Sequence, residues 1–153
     1  MTNYDTISTE TWTIRLPSDW LKRDCSVQYT IYYESGDGTK GAYFSTWCFQ
    51  NDFRTAKEIL ESFRRVEVRT LQEMEENTWE TVGQWNSDKP ELSVLGEDFL
   101  DRHASYRIAY HLIVRLPWLV RSTFHDYSCT NHHDSKQFFQ PIIDSLEIHK
   151  EDV

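Results

Sequence analysis

The residues best equipped for chemistry lie close together near the C-terminus, in the run His125-Asp126-x-x-Cys129-x-x-His132-His133-Asp134. Imidazole, thiolate and carboxylate are all zinc donors, and the spacing is tight. Structural zinc sites usually join two ligand pairs from separate segments, however, and the sequence holds no obvious second pair. On a strand, His125 and Asp126 point to opposite faces; His125, Tyr127 and Cys129 share one face, with the two histidines following in a loop. The candidate metal ligands are therefore His125, Cys129, His132 and His133, set against a plain reading as polar loop chemistry. Cys129 beside a histidine is also a conceivable nucleophile. That chemistry needs a base within hydrogen-bond reach and an oxyanion hole, and the sequence points to neither. G-x-S-x-G, P-loop, G-x-G-x-x-G and H-E-x-x-H are all absent. Adjacent carboxylates such as Glu97 and Asp98 are sent apart by strand geometry. The expectation is a non-enzymatic chain with no cofactor.

The other notable groups are aromatic and acidic. The chain holds six Trp, eight Tyr and eight Phe, which compensates for an apolar content of only 39% because each ring buries a large area. Trp12, Tyr29, Tyr33, Tyr43, Trp47 and Trp118 alternate along expected strands and read as core. Trp79 and Trp85 flank a polar stretch containing Gly83 and are the better interface candidates. With Glu73, Glu76 and Glu80 they form the expected partner-binding surface. A second acidic run, Glu97–Asp101, reads as a solvated loop edge. The formal charge is −9, from 25 acidic against 16 basic residues. That sign opposes binding to phosphate backbones or anionic membranes and favours a basic protein partner.

These residues need elements to hold them. With 153 residues the chain fits one domain able to bury a core unaided. Residues 1–10 and 149–153 read as flexible ends. A strand is expected at Thr11–Leu16, then a turn at Pro17-Ser18-Asp19 and a short helical turn from Trp20. Ser26–Glu34 alternates, with Val27, Tyr29, Ile31 and Tyr33 on one side. The turn Ser35-Gly36-Asp37-Gly38 returns it as a hairpin into Gly41–Phe49. Thr55-x-x-Glu58 is a capping box, so a helix starts near Ala56 and carries Ile59, Leu60, Phe63, Val66 and Met74, with a break somewhere between Arg65 and Glu76. Strands follow at Thr78–Trp85, Leu92–Leu100, Ser105–Val114 and Trp118–Ser128. Asp134 then caps a helix weakened at Pro141, and Ser145–Ile148 can add a short strand. The order predicts α+β, an antiparallel sheet of about six strands with helices packed on it.

Taken together, Trp12-x-Ile14-x-Leu16-Pro17-x-Asp19-Trp20, Tyr43-x-Ser45-x-Trp47 and Phe139-x-Pro141-Ile142-Ile143-x-Ser145-Leu146 resemble the PsbP-like α/β/α sandwich. This is the fold of the photosystem extrinsic subunit, a Ran-binding nuclear import factor and DcrB-like bacterial proteins. The resemblance implies a non-enzymatic binding module. Some bacterial relatives are similar to chaperones or immunity proteins, which implies occlusion of a basic toxin or secreted effector. It transfers no functional residue: the lipoprotein signal of many DcrB-like members is missing, and no Ran-binding signature matches. The polar start and the odd, scattered Cys25, Cys48 and Cys129 fit a reducing cytoplasm.

Overall fold

The computed structural model describes residues 2–150. In chain order the elements are β1 (Tyr4–Ser8), β2 (Trp12–Pro17), β3 (Leu21–Arg23), β4 (Thr30–Glu34), β5 (Lys40–Cys48), α1 (Ala56–Gln72), β6 (Glu80–Asp88), β7 (Ser93–Asp101), β8 (Tyr106–Arg115), β9 (Trp118–Asp126), α2 (His132–Asp144) and β10 (Glu147–Ile148). Seven strands form one antiparallel sheet in the order β3-β4-β5-β9-β8-β7-β6, and β1-β2-β10 form a second. The expected α+β class holds, with ten strands among the described residues where about six were expected.

Side-chain alternation sorts the large sheet into two faces. One turns Phe99, Ile108, Tyr110, Leu112, Val114 and Leu119 toward Ile59, Leu60 and Leu71 of α1. The other turns Phe44, Ile113, Val120 and Phe124 toward α2 and the small sheet, which contribute Phe139, Ile142, Trp12 and Ile14. The result is a sandwich whose middle layer is dry on both sides beneath its covers.

Helix α1 starts as its sequence dictates. Thr55 Oγ1 accepts from the Glu58 amide at 3.2 Å, and the Thr55 amide donates to Glu58 Oε1 at 3.4 Å. It then runs unbroken to Gln72, so Val66-Glu67-Val68 is helical despite its strand-like alternation. In α2 the cap is Asn131, one turn earlier than expected, and its side chain accepts from the Asp134 amide at 3.1 Å. The helix continues through Pro141. Pro141 and Gln137 both face solvent, so water can take the carbonyl that loses its partner.

Several other boundaries move. Within the segment expected to be a flexible start, Tyr4–Ser8 pairs with β2, and Tyr4 and Ile7 pack on the core. His149 is held at 2.6 Å from Thr13 Oγ1, while residues 151–153 lie outside those described. Trp20 starts no helical turn; it is buried against Phe138 and Phe139, and β3 follows. The strand expected from Ser26 begins only at Thr30, because Tyr29 sits in the left-handed region at φ 62°. Asn86, Ser87 and Asp88 belong to β6, leaving the turn to Lys89–Leu92. Among the described residues, no helix is long and apolar enough to cross a membrane.

Candidate functional site

The histidine-rich run does not converge. His125 lies half-buried among the rings of Tyr43, Tyr106 and Tyr127, with centroids 5.1, 5.9 and 5.7 Å away. Its Nδ1 is 2.6 Å from Tyr106 Oη and its Nε2 3.1 Å from Thr123 Oγ1, so both ring nitrogens already have partners. Burial, helped by the charge of Arg121, pushes its pKa down to about 3. Strand β9 ends at Asp126, so Cys129 leaves the expected face; it is buried, and that burial raises its thiol pKa. His132 Nε2 bonds Asp98 at 2.8 Å, and His133 is exposed on α2. Among the described residues, no three His, Cys, Asp or Glu side chains are placed to hold a metal ion.

Glu97 and Asp98 do point apart, but the run containing them is no wet edge: Glu97, Asp98 and Asp101 are all buried. Glu97 faces α1, accepting from Arg64 Nε at 2.5 Å, Gln84 Nε2 at 3.1 Å and the Tyr110 hydroxyl. Asp98 faces α2, taking Arg107 in a fork at 2.8 and 3.1 Å besides His132. Arg107 also reaches Ser135 Oγ at 3.2 Å and lies over the Phe139 ring. Two consecutive carboxylates thus tie one helix each to opposite faces of β7. Their signal in sequence was charge inside an apolar run; Arg107 on the next strand pairs with Leu100 in register and reaches Asp98 diagonally.

The expected partner surface is only partly presented. Glu73, Glu76 and Glu80 are exposed on the segment from the α1 terminus into β6, and Glu80 meets Arg102 at 3.1 Å. Trp79 is half-buried, edge-on to Tyr106 at 5.1 Å. Trp85 lies over Gly96, where any Cβ would collide with its ring, and its Nε1 donates to His111 Nδ1 at 3.1 Å. Both rings are therefore partly anchored in the fold.

A more exposed apolar surface lies elsewhere. Beside α1, on the half of the sheet that the helix leaves open, a groove of about 570 Å³ runs between Phe63 and Val66 and the β4–β5 pair. Tyr29 (83% exposed), Val27, Val66 and Trp47 (38%) cluster around it. Trp47 stands edge-on to Phe63 at 5.0 Å. Glu67 and Arg121 pair within the lining, with Arg121 Nη2 donating at 3.0 Å. The positive φ of Tyr29 turns its ring out of the strand alternation that would have buried it. Alternation had read Tyr29 and Trp47 as core, and nothing in their spacing marked them as exposed.

No family model matches the sequence, and no curated protein does. The arrangement is nevertheless similar to known structures. The solution structure of cyanobacterial PsbP (CyanoP) from Synechocystis sp. PCC 6803 aligns with a TM-score of 0.70 at 9% identity, over 97% of this chain and 94% of that one. A crystal structure from Bacteroides thetaiotaomicron VPI-5482 aligns at 0.55 with 12% identity, over 92% of this chain but only 46% of that one. The fold is PsbP-like, as the sequence resemblance implied; at these identities the likeness concerns architecture alone.

Proposed function

We propose that the chain is a non-enzymatic protein-interaction module that holds a partner protein against the groove beside α1 and acts by covering that partner's functional surface, as an immunity or chaperone-like protein covers a toxin or secreted effector. The observation that carries this reading is the gathering of exposed Tyr29, Trp47, Val27 and Val66 around one groove. Exposed apolar patches with polar rims mark interaction sites, and Trp and Tyr dominate their energetics. The charge of −9 favours a basic partner and speeds its approach. Glu97, Asp98, Glu67 and His125 are each engaged by neighbours within the fold, which supports binding rather than proton transfer.

A photoreactive side chain placed at Tyr29, with a control at the exposed Lys136 of α2, tests it in the native host. The expected result is one stoichiometric basic partner captured at position 29 alone, its affinity lowered roughly tenfold or more by Trp47→Ala. Equal capture at both positions, or a Trp47→Ala complex of unchanged affinity, overturns the reading.

A further inference from the structure

The sheet ends differently at its two edges. At one edge lies β3, three residues long and carrying Lys22 and Arg23, which guard it against pairing. At the other lies β6, nine residues long, with no Lys, Arg or Pro. A bulge between Thr81 and Gly83 interrupts its start, after which Gly83–Asp88 pairs regularly with Asp98–Ser93 of β7. Among the described residues no strand lies beyond β6, and its backbone makes no bond outside that ladder. Gln84, Asn86, Ser87 and Asp88 are exposed. A straight, uncovered row of amides and carbonyls remains.

The surroundings say what chemistry would pair with it. Glu76 and Glu80 flank the start of β6 and Asp88 and Glu91 its end, against Lys89, the Arg102 that Glu80 engages and the Arg115 that lies 3.9 Å from Glu91. Between the end of β6 and α1 sits a depression of about 220 Å³. Leu60, Val94 and Leu95 give it apolar walls, and Glu61 and Asp88 set carboxylates at its rim beside Lys57. An apolar wall with acidic groups at the mouth suits the methylene stem and charged head of a Lys or Arg side chain.

We propose that Gly83–Asp88 of β6 accepts an extended basic segment of a partner protein as an eighth strand of the sheet, with one of its Lys or Arg side chains seated between Leu60 and Leu95 and its head beside Glu61 and Asp88. Main-chain hydrogen bonds supply the affinity, and alternate side chains supply the selectivity. This surface lies at the edge of the sheet away from the Trp47 groove, so the two stand or fall separately.

The test uses the full isotope-labelled chain and an acetylated, amidated heptapeptide alternating Lys and Val. Saturable shifts of the Gly83–Asp88 amides are expected. N-methylation of alternate peptide amides, which keeps the charge and removes donors, should weaken binding by at least about tenfold. Exchange of Lys for Glu in the peptide should abolish binding, and Glu61→Gln in the protein should weaken it severalfold without changing the fold's spectrum. Equal binding of the methylated peptide, or shifts confined to residues around Trp47, overturns the proposal. A partner captured at Tyr29 while the peptide leaves β6 unmoved removes the strand-addition site and leaves the groove reading intact.

Discussion

The α1 side of the large sheet is one surface with two fates. Beneath the helix, Ile108, Tyr110, Leu112 and Leu119 meet Ile59, Leu60 and Leu71 and are cut off from water. Beyond the helix, toward β4 and β5, the same face ends in a groove where Trp47 and Tyr29 remain exposed. Trp47 and Leu119 sit directly opposite one another in the β5–β9 register, yet Leu119 is 0% exposed and Trp47 38%. Identical strand geometry thus yields core on one side and accessible surface on the other. What decides is the lateral reach of a single helix.

Leu119→Ala should therefore show the largest effect, a loss of about 2–5 kcal/mol from lost transfer energy and a residual cavity. Denaturant unfolding measures it; a loss under about 1 kcal/mol would mean that the covered half is not closed.

Acid provides a second way to separate covered from open surface. His111 is buried under Trp85, accepts its indole N–H at Nδ1, and has its pKa pushed by burial from 6.5 down to about 4. The folded state therefore holds a neutral imidazole while the unfolded chain binds a proton more readily. Stability contributed by this group is complete above pH 6.5 and is lost as pH falls toward about 4, with a ceiling of roughly 3 kcal/mol from the size of the shift. His111→Gln should flatten that part of the acid profile relative to the parent chain. Parallel profiles between pH 6.5 and 4 would show that His111 is not the group titrating.

How much of this was legible beforehand follows the same division. The hairpin at Ser35–Gly38, the capping box at Thr55 and Glu58, and the turn-bounded runs of β7 to β9 are local signals, and each produced its element. The antiparallel α+β class followed from their order. Tyr29 misled because its left-handed backbone breaks an otherwise regular alternation, and no glycine or asparagine announced the break. Trp47 misled because period two reports which face a residue occupies and says nothing about whether a helix covers it. The clustered histidines were open to two readings, metal ligands or polar loop, because spacing along the chain does not say where side chains converge; His125 packs among tyrosine rings, whereas Cys129 and His132 bond Ser135 and Asp98, the two partners of Arg107. Buried Glu97 and Asp98 were visible as charges but not as ties, since their partners come from α1, β8 and α2.

The cover itself can be loosened. Thr55→Ala removes the acceptor for the Glu58 amide and half of the capping box, at a cost of about 1 kcal/mol. Because Ile59 and Leu60 lie in the next turn, the loss should appear first as faster amide exchange in the first two turns of α1. Uniformly faster exchange throughout the sheet would instead show that the helix and sheet open as one unit.

Trp47→Ala is the smallest expected change in stability and the sharpest form of the comparison. The substitution removes an edge-on contact with Phe63 at 5.0 Å, a geometry that contributes about 0.5–1.5 kcal/mol, together with apolar area that is already partly wet. No closed cavity forms, because the groove is open to solvent on that side and water enters where the ring stood. The loss should accordingly stay near 1 kcal/mol, about 2–4 °C in Tm for a chain of this size, well below that of Leu119→Ala across the register. A loss equal to that of Leu119→Ala would place Trp47 in the core and remove the basis for treating the groove as a contact surface. A small loss with intact folding leaves the ring where a partner can use it: held by one neighbour, costly to neither fold nor solvent, and available to be buried by association.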